Sequence, residues 1–187
     1  MLGEILPSSM VIHGDPIKYE VFEEIWENNP LIKKAWHNYE KLVNPDGTLN
    51  TMVLASDIQN YKKLMKMADP SITQKIGQKI QEAQNNGIEV VILERQAIKT
   101  LKYWNEADLR VTMLADTKNR HLYLTNRHNH KYDIGAYDNR DKAFEIDHSA
   151  LDALKPEITV FNEYKIDELR RHAKTIANRI NQVKIIQ

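Results

Sequence analysis

Residues Ile88-Glu89-Val90-Val91-Ile92-Leu93 constrain this chain more than any other stretch. A near-continuous β-branched run of that length predicts a strand covered on both faces, the usual state of a strand inside an α/β sheet. Its flanks agree. Before it, Ser71 follows Asp69-Pro70 as an N-cap, and Ile72, Ile76 and Ile80 recur every four residues. Asn85-Asn86-Gly87 then supplies a helix stop, because glycine enters the left-handed conformation without steric cost. After it, Ala97, Ile98, Leu101 and Trp104 return to helical spacing, and residues 109–114 are strand-like again. Strand, helix, strand predicts a β-α-β core at about 88–114 with parallel strands and a right-handed crossover.

The preceding residues read as helical. Asp15-Pro16 marks a helix start, with Ile17, Val21 and Ile25 on one face and Phe22 and Trp26 widening it. Asn29-Pro30 repeats the device for a second helix reaching Leu42, and Asn44-Pro45-Asp46-Gly47 is a turn. A third helix runs from Ser56 or Asp57 to Ala68, where Asp69-Pro70 ends it. This divides the chain into a helical N-terminal portion or cap, 1–70, and an α/β domain, 71–187. Beyond Ala115, strands are predicted at 120–125, 131–137, 143–146 and 158–161, so the fold class is α/β or α+β with a mixed sheet. The chain ends in a long amphipathic helix whose Ile166, Leu169, Ala173, Ile176, Ile180 and Val183 form a heptad seam. Such a seam suits one partner helix, either an N-terminal helix of the same chain or a second copy in a homo-oligomer.

Composition narrows the function. The 187 residues carry no cysteine, which removes disulfides, thiolate catalysis and Cys-based metal sites. Formal net charge is zero, and no apolar run approaches the roughly 20 residues that span a bilayer. A membrane partner is therefore not expected, and the opening residues lack the basic and apolar regions of a signal peptide, so a cytoplasmic location is. Charge is nevertheless uneven: residues 1–30 hold six acids against Lys18, and residues 95–131 hold eight Lys or Arg against three acids. Lys99, Lys102, Arg110, Lys118, Arg120 and Arg127 form a candidate nucleic-acid surface, and Lys33, Lys34, His37, Asn38 and Lys41 a second. Solvated faces of amphipathic elements are the plainer reading of both.

Reactive side chains concentrate in residues 121–148. On a strand, His128 and His130 project from one face, a spacing that holds a divalent metal, with His121 or an aspartate completing the site. Without metal, the same pair serves as base and acid while Lys131 stabilises charge on a phosphate. The plainer reading is an exposed polar turn between two strands. No nucleotide-cofactor signature is present, since the six glycines leave no GxGxxG and no GxxxxGK[ST]. Glu94, with Arg95 beside it, closes the central strand, where α/β folds place ligands.

The helix running into Asn86–Leu93, the later Asp108-Leu109-Arg110-Val111 and the hairpin from His121 to Tyr137 resemble, in their order, phospholipase-D-like domains. These include degenerate copies serving as effector domains in transcription regulators. The family's HxKxxxxD is not met: His128 has Lys131 at plus three, and His130 has Lys131 at plus one and Asp138 at plus eight. The resemblance implies a fold whose catalysis is lost. The expected function is thus a non-catalytic regulatory or interaction protein binding a protein or nucleic acid. The alternatives are a phosphodiester hydrolase centred on His128 and His130, and a structural assembly component such as a phage connector.

Overall fold

A computed structural model describes residues 5, 6, 8–29, 41–50, 53, 54, 57–94, 101–127, 135, 156–163 and 165–186. Strand β1, Ser9–His13, leads directly into helix α1, Gly14–Asn28. Helix α2, Ile58–Asn85, precedes strand β2, Val90–Glu94, and helix α3, Leu101–Glu106. Strand β3, Val111–Leu114, is followed by helix α4, Thr117–Arg127; strand β4, Ile158–Phe161, by helix α5, Ile166–Ile186. Helices and short parallel strands alternate, and the predicted mixed α/β class holds.

The strands form two ladders. β1 and β2 are parallel, from Ser9 opposite Val90 to His13 opposite Glu94. β3 and β4 are parallel, from Val111 opposite Ile158 to Leu114 opposite Phe161. The order strand, helix, strand at 90–114 is present, but β2 and β3 are not partners. Each takes its hydrogen bonds from a strand remote in sequence. The pairing of β2 with β1 was not anticipated, because Ser9–His13 is short and lies between Pro7 and Gly14, and reads as irregular.

β2 does have helices on both faces, as its composition requires. Val91 and Leu93 pack against the main core, which unites Ile12 of β1, Ile17, Val21, Phe22 and Trp26 of α1, and Tyr61, Leu64, Met65, Ala68, Ile72 and Ile76 of α2. Val90 and Ile92 face the other way, onto Leu6 and onto Ala177 and Ile180 of α5. Burying side chains of this size stabilises by about 1.5–3 kcal/mol each, so these two layers hold the strand in place. Of the C-terminal seam, Ile180 is the residue that packs with this strand, beside Ala177. Ala173 and Ile176 are buried, Leu169, Ile180 and Val183 half-buried, and Ile166 exposed; Ala177, off the heptad, is among the best-covered residues. A sheet face accepts a broader stripe than a helix does.

Two further expectations are corrected. Pro70 does not end a helix: α2 runs through it, so the expected break at 70 lies inside one continuous element. The apolar line Leu64, Met65, Ala68, Ile72 and Ile76 continues on both sides of the proline, and its burial outweighs the missing backbone hydrogen bond. Residues 120–125 are helical, in α4, and not a strand. A six-residue stretch is too short to fix a period, whereas Asp116 is a helix cap, accepting from Asn119 N at 2.9 Å. Other expectations hold. Asp57 caps α2, accepting from Asn60 N at 3.1 Å. Gly87, at φ +69°, closes it, with Ile88 N donating to Ala83 O at 3.0 Å and Gly87 N to Gln84 O at 3.0 Å. The predicted strand at 143–146 and the second helix between residues 30 and 40 lie outside the described residues, as does the strand at 131–137 apart from Gly135, which is helical.

Candidate functional site

Parallel strands that share a direction present their carboxyl ends together, and ligands of open α/β folds sit there. At the end of β1 and β2 the register sets His13 opposite Glu94. Their side chains meet, with His13 Nδ1 2.6 Å from Glu94 Oε2, and remain 60% and 69% exposed. A carboxylate beside Nδ1 fixes the imidazole tautomer in which Nδ1 carries the proton and Nε2 has the lone pair. The pair is thus built like the base and orienter of a proton-transfer site, on the solvent side of the ladder.

One residue beyond His13 the chain turns into α1. Asp15 lies in that helix's first turn, where the N-terminal backbone favours negative charge. Lys18 Nζ donates to Asp15 Oδ1 at 2.7 Å. The two ends of this pair differ: the Lys18 side chain is 8% exposed and that of Asp15 46%. Lys18 Nζ also stands 4.5 Å from the centre of the Tyr19 ring. Burial works against its charge, but Tyr61, Tyr19 and the bond to Asp15 outweigh burial, so its pKa is raised. The carboxyl ends of β3 and β4 carry Asp116, engaged in capping α4, and Glu163, 2.7 Å from Lys165 Nζ and held below the usual carboxylate range by it.

Of the residues singled out by sequence, Glu94 is the one this arrangement uses. Arg95 lies outside the described residues, as do His128, His130, Lys131 and Lys99. His121 is half-buried on α4. Among the described residues no three His, Asp or Glu side chains come together to hold a metal. The described basic residues lie on different elements. Arg110 forks onto Glu157, with Nε 2.9 Å from Oε1 and its backbone N 2.7 Å from Oε2. Lys102 Nζ is 5.5 Å from the Tyr103 ring centre on α3, while exposed Lys118, half-buried Arg120 and the closing Arg127 belong to α4. Sequence reasoning missed His13 and Asp15. Their signal was present as His-Gly-Asp-Pro at a strand-to-helix junction, but the strand itself went unrecognised.

No helix among the described residues is long and apolar enough to cross a membrane. No family model matches the chain, and no curated protein matches it either. Among solved structures, a dephospho-CoA kinase from Campylobacter jejuni aligns over 97% of this chain and 90% of its own, with a TM-score of 0.59 and 15% identity. This likeness corrects the expected function. The non-catalytic regulatory or nucleic-acid-binding protein, the phosphodiester hydrolase and the phage assembly component all give way to a chain that is similar, over nearly its whole length, to the fold of a small-molecule kinase.

Proposed function

We propose that this protein is a nucleotide-kinase-like enzyme that transfers a phosphoryl group to a hydroxyl of a nucleotide-type acceptor, of which dephospho-CoA is the first to test. The observation that carries the reading is the His13–Glu94 pair at the carboxyl ends of parallel strands, within a chain similar to a kinase over 97% of its length. In such a transfer the acceptor oxygen attacks the terminal phosphorus, the bond to the bridging oxygen breaks, and the nucleoside diphosphate leaves. The hydroxyl proton goes to His13 Nε2, while Glu94 stabilises the imidazolium that forms. Asp15 is placed to orient the acceptor hydroxyl.

The donor's phosphates need their own grip, and these 187 residues hold no GxxxxGK[ST]. We assign the carboxyl ends of β1 and β2, where His13 meets Glu94, to the acceptor side of the reaction. A reaction fed by nucleoside triphosphate belongs in the cytoplasm.

The test is calorimetric titration with dephospho-CoA, alongside an assay for diphosphate formed from ATP when it is added. Saturable binding that Glu94→Gln and His13→Ala weaken, with acceptor-dependent turnover, is the expected result. A protein that takes up neither dephospho-CoA nor any adenine nucleotide at millimolar concentration is not a kinase of this kind.

A further inference from the structure

We propose that Lys18 is a positioning residue, buried beneath the site to hold the Asp15 carboxylate where an acceptor hydroxyl meets it. The inference rests on the functional reading above, and it assigns a residue that the reading itself does not need.

Lys18 cannot touch a ligand, being 7% exposed. Its stem occupies a buried position of α1, one turn before the core residues Val21 and Phe22. The obvious occupant of such a position is a leucine or methionine. Taking an ammonium group out of water is costly, and a buried ion pair is generally no more stabilising than apolar side chains of the same volume. Stability alone therefore gives no reason for a lysine here. Geometry gives one. Lys18 sits three residues after Asp15, so one helical turn brings Nζ under the carboxylate, and the 2.7 Å bond ends on Oδ1. That leaves Asp15 half in solvent, anchored from below and one residue into the helix that β1 feeds directly. The Tyr19 ring, with Nζ 4.5 Å from its centre, steadies the ammonium from a second side. A surface carboxylate without this anchor samples several rotamers; this one is restricted.

The experiment compares Lys18→Met and Lys18→Arg with the wild type in the ATP and dephospho-CoA assay, with thermal melting of each. Lys18→Met is expected to lower kcat by on the order of a hundredfold, the effect of misplacing a reacting group by an ångström, with KM within about twofold. Its melting temperature should equal or exceed the wild type's, and Lys18→Arg should recover part of kcat, since guanidinium also donates to a carboxylate. Wild-type turnover in Lys18→Met overturns this inference and leaves the functional reading standing. So does a kcat loss that merely follows a lowered melting temperature, which marks Lys18 as structural. A wild type that neither binds nor phosphorylates any acceptor overturns the functional reading, and this inference with it.

Discussion

Tyr103 occupies space that a glycine at 77 leaves open. A Cβ at Gly77 would lie 2.7 Å from the Tyr103 hydroxyl oxygen, and that hydroxyl donates to Thr73 O at 2.8 Å. This contact locks α3 onto the middle of α2. The helix conformation at Gly77 suits any residue, so the glycine is there for the tyrosine's sake.

A sign reversal follows. Alanine in a helix interior is favoured over glycine by about 1 kcal/mol. In the wild type, Gly77→Ala pushes the Tyr103 hydroxyl off Thr73 and forfeits about 1 kcal/mol of hydrogen bond along with packing, so it does not stabilise. In a Tyr103→Phe background the nearest ring carbon, Cζ, would be 3.9 Å away, an ordinary contact, and the same substitution should stabilise by about 1 kcal/mol. Urea denaturation of the four proteins measures the cycle, and a stabilised single mutant would refute the close approach.

Pro70 is exposed, inside a 28-residue helix. Pro70→Ala restores a backbone hydrogen bond to the carbonyl of Lys66 and loses no core contact. Against this, proline restricts the unfolded chain, so the net gain should be roughly 1–2 kcal/mol. A higher midpoint in chemical denaturation is the expected reading; no change would mean that the proline is not inside a continuous helix.

The fork between Arg110 and Glu157 closes the amino ends of β3 and β4. It carries Glu157 from its ordinary 4.5 to about 2, chiefly through the hydrogen bonds from the Arg110 side chain. A lowered carboxylate pKa contributes stability that is complete above the unfolded value and fades as pH falls from 4.5 towards 2. Glu157→Gln should therefore lower the urea midpoint at neutral pH, and the gap to the wild type should close across that window. A gap independent of pH would assign the loss to packing.

The His13–Glu94 pair makes a kinetic prediction. Removing a general base or its orienting carboxylate costs on the order of a hundredfold in rate. Because the two act as one unit, His13→Ala combined with Glu94→Gln should be little worse than either alone. Phosphoryl-transfer rates of the two single mutants and the double mutant decide this, and multiplicative losses would show that the residues work separately.

What could be read from the sequence was what neighbouring residues decide. The β-branched density of 90–93, the glycine at 87, the Asn44–Gly47 turn and the periodicity of 166–183 are local signals, and the elements they predict are present. The partner of each strand is not a local property. His13 and Glu94 are 81 residues apart, and nothing near either announces the other. The histidine-rich segment is dense in reactive groups along the chain, and His128, His130 and Lys131 lie outside the described residues. The parallel register of β1 and β2 brings His13 to Glu94, a closeness in space that no local pattern encodes. Pro70 misled for a related reason: a local breaker was outweighed by the core that residues on both of its sides bury.

Helix α5 has a consequence for how the protein is handled. Four residues separate it from β4, yet the apolar side of β2 that it shelters belongs to the other ladder, and Ala177 and Ile180 provide that shelter from the helix's second half. A protease cut or stop codon near residue 175 would leave every described strand intact while exposing Val90 and Ile92. The product would be an aggregating protein rather than a smaller folded one.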